Sequence, residues 1–296
     1  MRICVIFNPA ARGNKARHFR SWLDSIASEA ALKPTTRGGD ARRLAAEAVA
    51  EGFDTIVAAG GDGTVNEVLN GIGDAPDGFQ RARLGVLPLG TVNVFARELK
   101  MPPKIPDAWK ILRRGREMQI DLPRVDFSAD GRPQRRYFVQ LAGAGLDARA
   151  IERVSWRLKK KTGPLAYVVA GFQALAERQP KITVQADGQT LPGELVLVGN
   201  GKLYGGQFEI FPLAEYTNGL LDACIFPRVN LWTLLRCAPG FLLRHRLSEK
   251  SVRRVRAEQF EVSSRPAAAF ELDGEWVGRL PAIFSIAPQK LRVVVP

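Results

Sequence analysis

Thr55-Ile56-Val57-Ala58-Ala59-Gly60-Gly61-Asp62-Gly63-Thr64-Val65-Asn66-Glu67-Val68 decides the fold of this chain. Five apolar or β-branched residues run into Gly-Gly-Asp-Gly and then into a helical pattern, so the stretch reads as strand, tight loop and helix start. The glycines let backbone pass very close to a ligand. The first amides of the helix lack intrahelical partners and favour anionic oxygen. A phosphate group suits that junction.

Working outward, the periodicity predicts strands at Ile3 to Phe7 and Leu84 to Leu87 and helices at Lys15 to Ala31, Ala41 to Glu51, from Val65, from Val92, and at Pro106 to Arg114. Strands alternating with helices predict an α/β fold, a doubly wound parallel-sheet nucleotide domain whose ligands bind at the carboxyl ends of its strands. Asn8-Pro9, Gly60-Gly61 and Pro88 to Thr91 each follow a strand, which brings these loops to one rim. From Leu122 the texture changes to short strands punctuated by Asp130-Gly131, Asp187-Gly188 and Asp273-Gly274, the turn residues of antiparallel hairpins. Helical patterns interrupt at Ala148 to Arg178, with a break at Gly163-Pro164, and at Leu231 to Arg246. The expectation is a nucleotide domain at 1–122 and a β-rich antiparallel sandwich at 123–296, in firm contact across a cleft, with a last strand able to return to the first domain.

The chain has 296 residues, nearly half of them apolar, enough for a sizeable core. Cys4, Cys224 and Cys237 show no metal-ligand spacing, and so few cysteines suit a reducing cytosol. His18 and His245 are the only histidines, which leaves little for a His-ligated metal or a Ser-His-Asp triad. No apolar run reaches the roughly 18 residues of a membrane span, and the opening strand is too short for a secretory leader. The formal charge of +13 asks for an anionic partner. Arg149 to Lys161 carries six Arg/Lys against Glu152, and Arg236 to Arg256 carries seven against Glu249. With Trp156, Tyr167, Trp232 and Phe241 nearby, these clusters predict reversible docking on an anionic membrane surface. Solvated helix faces are the competing explanation. Zinc-ligand sets, aromatic RNA-binding patterns and helix-turn-helix signatures are missing, which argues against nucleic acid.

A lone Gly-Gly-Asp-Gly is more often a surface turn than a site, but here it has company. Gly60 to Val68 resembles the nucleotide-binding loop of the diacylglycerol kinase catalytic domain family, which includes soluble bacterial lipid kinases and is related to sphingosine and ceramide kinases. Asn8-Pro9 with Gly13 and Lys15, Thr35 with Gly39 and Ala41, Leu87 to Asn93, and Asp273-Gly274-Glu275 resemble further motifs of that family, in order over nearly the full length. The resemblance implies an ATP-dependent lipid kinase using Mg²⁺, with diacylglycerol as first candidate acceptor. It implies donor contacts at Asn8, Thr35, Gly60, Gly61, Asp62, Gly63, Thr64, Asn66, Glu67, Gly90 and Thr91, and catalytic roles for Glu275, Asp273 and Asp62. Glu275 matches the proton acceptor of the lipid kinases, with Asp273 its close helper. Capping its own turn is the structural alternative for Asp62, and a plain hairpin turn that for Asp273-Gly274.

Two departures stand out. Asn93-Val94-Phe95-Ala96 replaces the family's Asn-Asp-Phe-Ala, so that aspartate's role is absent here. In Glu215 to Asp222, Asn218 stands where bacterial relatives hold a structural Mg²⁺ through an aspartate and backbone carbonyls. Glu215, Asn218 and Leu220 are therefore a weakened metal set, which Asp222 could supplement. Two other classes remain open: an NAD kinase-like enzyme acting on a soluble dinucleotide, and a non-catalytic nucleotide- or membrane-binding module. The ordered motifs argue against the first, and intact Asp62, Asp273 and Glu275 against the second. The implied location is cytoplasmic, with reversible membrane contact.

Overall fold

The strand Ile3–Phe7 (β1) is buried at all five positions, the pattern of a strand covered on both faces. In the computed structural model, residues 1–9, 14–146, 148, 179–230, 232–233, 247 and 252–296 are described. They form two units, Met1–Leu122 with Ala287–Pro296, and Pro123–Ile286. After β1 the first unit continues with α1 (Asn14–Ile26), β2 (Ala31–Pro34), α2 (Asp40–Ala50), β3 (Thr55–Gly60), α3 (Asp62–Asp74), α4 (Gly78–Arg81), β4 (Arg83–Pro88), α5 (Val94–Glu98), α6 (Ile105–Arg114) and the start of β5 (Glu117–Ala129).

The parallel strands lie in the order β2-β1-β3-β4, with Val5 beside Val57 and Val57 beside Gly85. On the face that Phe7 shares, Phe19 of α1 packs edge-on against Phe7 with centroids 5.6 Å apart, and Trp22 meets Trp109 of α6 at 5.6 Å. Leu112 of α6 fills the space a Cβ would take at Gly85. The chain moves one way from β1 to β2 and the other way from β2 to β3. Right-handed crossovers then put α2 and α3 on the face opposite α1, where Ala45 presses on Gly71. This is the doubly wound arrangement.

Two boundaries differ from the periodicity. The first helix stops at Ile26, and Ala31–Pro34 is a strand instead of the helix end. Three half-buried residues on a sheet edge, closed by an exposed proline, carry almost no alternation signal. Helix α3 begins at Asp62, three residues ahead of Val65, because a loop residue in helical conformation costs no apolar periodicity.

The second unit takes up the end of β5 and then β6 (Arg132–Tyr137), β7 (Leu141–Gly145), β8 (Lys181–Ala186), β9 (Gln189–Gly193), β10 (Leu195–Gly199), β11 (Leu203–Tyr204), β12 (Phe208–Glu209), β13 (Leu221–Phe226), β14 (Arg253–Ala257), β15 (Gln259–Arg265), β16 (Ala269–Leu272), β17 (Glu275–Arg279) and the start of β18 (Ala282–Val294). One antiparallel sheet runs β14-β13-β10-β7-β16-β17; facing it, β15 pairs with β8 and β18, β8 with β9, and β5 with β18 and β6. The three expected hairpin turns are present. Asp130, Asp187 and Asp273 have φ of 50°, 48° and 49°, and their glycines 73°, 74° and 85°. Both central residues are left-handed, as the twist of a two-residue hairpin demands.

Between the sheets Phe270 lies 5.1 Å from Phe127 and 5.9 Å from Phe284, in near-perpendicular contacts worth about 0.5–1.5 kcal/mol each beyond their burial. Phe138, Phe260, Leu272 and Val196 complete this core. The end of β18 leaves the sandwich for the first unit, where Val293 pairs in parallel with Leu84 of β4. The expected helices at Ala148 to Arg178 and Leu231 to Arg246, and with them the basic cluster at Arg149 to Lys161, lie outside the described residues, apart from Ala148, Trp232 and Thr233. Among the described residues no helix is long and apolar enough to cross a membrane.

Candidate functional site

The strand order puts the loops after β2, β1, β3 and β4 side by side along one sheet edge, with the change of winding direction at β1. That is where open α/β sheets bind ligands. Asn8 is exposed there. Thr35 is tied to β1 by its amide, which donates to Phe7 O at 2.8 Å. Gly60, Gly61, Gly63 and Thr64 follow β3, and Gly90 with exposed Thr91 follows β4.

The last two loops are in backbone contact. Gly60 O accepts from the amides of Leu89 at 3.0 Å and Gly90 at 3.2 Å. A Cβ on Gly90 would stand 2.5 Å from Gly61 Cα. Gly61 precedes α3 in extended conformation, and no side chain caps this helix. Its first amides and positive dipole end are therefore left for an anion. Neither Thr64 nor Asn66 serves as the cap that would be their structural alternative.

Asp62 bonds to its own amide and also reaches beyond its own turn. Its carboxylate turns to the amides that open α5, with Phe95 N donating at 3.3 Å, and Asn93 and Val94 amides beside it. Burial raises the Asp62 pKa, and the amide donors only partly offset it. Burial and backbone amides are the strongest influences on this half-buried carboxylate, and a divalent cation would favour its charged form. A raised folded-state pKa means the folded chain holds this proton more tightly than the unfolded chain. The associated stability is full below the unfolded carboxyl pKa of about 3.9 and is lost as pH rises through the folded value. Asp62→Asn is therefore expected to melt at or above wild type at neutral pH and to lose that advantage in acid. Thermal melts across pH check it, and an Asn variant clearly less stable at neutral pH would refute it.

Asn66 and Glu67 both bond to groups of the protein. Asn66 is 2% exposed and accepts from Asn70 Nδ2 at 3.1 Å within α3. The Glu67 carboxylate accepts from the amides of Gly39 and Ala41, each at 3.0 Å. Asp40 accepts from Thr36 Oγ1 at 2.6 Å, Thr36 N at 2.8 Å and Arg37 N at 3.1 Å. The Thr36 hydroxyl first, then its amide, hold the Asp40 carboxyl well below the usual carboxylate range.

In the second unit Asp273 is a tightly held acid, 8% exposed. Its Oδ2 accepts from Val139 N at 2.9 Å, and its Oδ1 from Gln140 N at 2.9 Å and Leu141 N at 3.1 Å. Its own amide returns a bond to Leu141 O at 2.9 Å. The receiving segment is fixed from its other side. Asn200 Nδ2 donates to Val139 O at 3.2 Å, Gln140 Nε2 donates to Leu203 O at 2.8 Å, and the Tyr216 hydroxyl donates to Gln140 Oε1 at 2.5 Å. Glu275 opens β17 opposite Leu272 and is half-buried. Glu271, which sequence reasoning missed, is 1% exposed and accepts from Gly274 N at 2.6 Å. The available signal was an acid flanked by core residues in Ala-Phe-Glu-Leu.

In the weakened metal set, Asn218 bonds within its own turn. Asn218 Oδ1 accepts from Leu220 N at 2.9 Å, and its Nδ2 is buried without a partner. Glu215 is exposed, and Asp222 faces Arg256 at 3.4 Å, with burial raising its pKa. An amide that spends its oxygen on a turn and presents N–H at its other end does not fit Mg²⁺. No group of three or more His, Cys, Asp or Glu able to hold a metal occurs among the described residues. Asn218→Asp is expected to restore a binding oxygen, so that Mg²⁺ raises its melting temperature by about 2–4 °C more than that of wild type. Equal shifts would show that the turn cannot be converted.

The family described as diacylglycerol kinase catalytic domain matches residues 2–125, and that described as YegS C-terminal NAD kinase beta sandwich-like domain matches residues 140–295. A protein of Bacillus subtilis (strain 168) named diacylglycerol kinase is 31% identical over 303 residues, covering 100% of this chain and 96% of its own length. One of the same name from Staphylococcus aureus (strain bovine RF122 / ET3-1) is 30% identical over 304 residues, covering 100% and 92%. The crystal structure of a diacylglycerol kinase from Bacillus anthracis str. Sterne has a TM-score of 0.73 at 20% identity, covering 100% and 97%, a likeness of fold. With similarity over its whole length and the family's glycine loop on the binding edge of its parallel sheet, the chain belongs to the diacylglycerol kinase family and is a kinase that transfers phosphate to an alcohol.

Proposed function

We propose that the protein transfers the γ-phosphoryl group of ATP to the free hydroxyl of a membrane lipid, with diacylglycerol or a related glycerolipid as acceptor. The observation that carries this reading is the uncapped start of α3 between the Gly60 and Gly90 loops. Fixed amides there receive triphosphate oxygens without reorganising as charge moves during transfer. Gly60, Gly61, Gly63 and Thr64 form that cradle, and Asn8, Thr35, Gly90 and Thr91 flank it. Asp62 is the residue that would hold Mg²⁺, which would neutralise phosphate charge. Glu275 accepts the proton of the acceptor hydroxyl, for which it must come within hydrogen-bond reach. Asp273 has both oxygens engaged by amides, and its part is to fix the turn that presents Glu275.

Labelled ATP offered with vesicles carrying diacylglycerol, phosphatidylglycerol or a sphingoid base, and separately with NAD, tests the reading. Phosphorylation of a lipid alcohol, abolished in Asp62→Ala, is expected. Labelling of NAD alone would favour the dinucleotide kinase, and nucleotide binding without transfer a non-catalytic module. Reversible docking of a cytoplasmic enzyme on anionic membrane follows from the net charge of +13. Sedimentation with vesicles is expected to rise with anionic lipid and fall with salt, and equal binding to neutral vesicles would refute it.

A further inference from the structure

Helix α2 should have an anion-seeking start like that of α3, since Gly39 provides no side-chain cap. It already holds its anion. Glu67, from the second turn of α3, gives its carboxylate to the amides of Gly39 and Ala41, residues 28 and 26 positions away in the chain. From inside α2, Asp40 takes the amides of Thr36 and Arg37 and the Thr36 hydroxyl. Two carboxylates thus hold four amides of the loop that begins at Thr35. One of the two belongs to the helix that the glycine loop opens.

Two consequences follow. Negative charge at the α2 start repels a second anion, so donor phosphates are directed to the uncapped start of α3. The position of the Thr35 loop relative to Gly60–Gly63 is set by a side chain of α3, so a donor that touches both finds them already spaced, with less ordering to be done on binding. The geometry points to Glu67 as a positioning residue for the phosphate donor: it contacts no donor atom, and acts by locking the 35–41 loop to the glycine helix and by filling the α2 start. The assignment rests on the donor site proposed above.

Glu67→Ala and Glu67→Gln in the full chain test it through amide exchange, melting with and without inorganic sulfate, ATP affinity by calorimetry, and steady-state kinetics. Glu67→Ala is expected to speed exchange of the Gly39 and Ala41 amides and to lower the melting temperature by about 3–6 °C. Sulfate should restore more stability to this variant than it adds to wild type, because it can enter the vacated helix start. ATP Kd and KM should rise about tenfold, as expected when the competent loop is only partly populated, with kcat and acceptor KM within about twofold of wild type. Glu67→Gln keeps one acceptor oxygen and should fall between. Unchanged exchange and melting would overturn the clamp. Lost stability with unchanged ATP affinity would reduce Glu67 to a structural cap, and a collapse of kcat at constant KM would make it a catalytic group, either of which overturns the positioning role. If wild type bound no nucleotide, the donor reading would fail by itself, while exchange and sulfate rescue would still decide whether Glu67 fills the α2 start.

Discussion

Glu275→Gln is expected to lower kcat by about 10²–10⁴-fold while the melting temperature stays within about 2–4 °C of wild type. The amide keeps the size and one acceptor oxygen of the carboxylate but cannot take a proton, and the residue is half-buried at the first position of a strand. Asp273→Asn should behave in the opposite sense. Its two oxygens accept three backbone amides, so an NH₂ group in place of either would face N–H donors. The expected loss is about 3 kcal/mol or more of stability, seen first in thermal melts and only through them in activity. Kinetics and melting of both variants separate base from scaffold. A well-folded, inactive Asp273→Asn beside an active Glu275→Gln would exchange the two roles.

The second large effect is expected at Gly90. A Cβ there would lie 2.5 Å from Gly61 Cα and 2.7 Å from Asn93 Oδ1, so the two loops would have to part. Gly90→Ala should cost about 2–3 kcal/mol of stability and weaken donor binding by about 100-fold, because the flanks of the phosphate cradle move. Gly61→Ala is the control from the same contact. Its Cβ would lie 3.4 Å from Gly90 Cα, with φ at −96°, a space and conformation that alanine accepts. Calorimetric ATP titration of the pair checks the asymmetry. Equal losses would mean that chain flexibility, not close approach, selects glycine at these positions.

What the sequence discloses is what local rules govern. The Thr55 to Val68 junction is legible because a strand's apolar run and a glycine loop are short-range signals. The three Asp-Gly turns are legible because a left-handed pair of residues has few chemical solutions. The carboxylates are another matter. Asp62 reaches 33 positions along the chain to Phe95, Glu67 turns back to Gly39, and Asp273 closes on Val139. No spacing rule encodes such partners, since they are set by which loops the sheet order brings together. A motif identifies these acids but does not tell a ligand-holding one from one that holds backbone. Ala31–Pro34 escaped for a simpler reason, as an edge strand buries too little to show a period.

The return of β18 carries a consequence for biosynthesis. Leu291, Val293 and Val294 are at most 1% exposed within a unit otherwise made of the first 122 residues. Translation therefore yields a nascent first unit with a bare flank at β4, open to wrong pairing with other chains. That flank is sealed only once residues 287–296 have emerged from the ribosome, so a nonsense mutation that removes these ten residues would damage the domain encoded at the opposite end of the message.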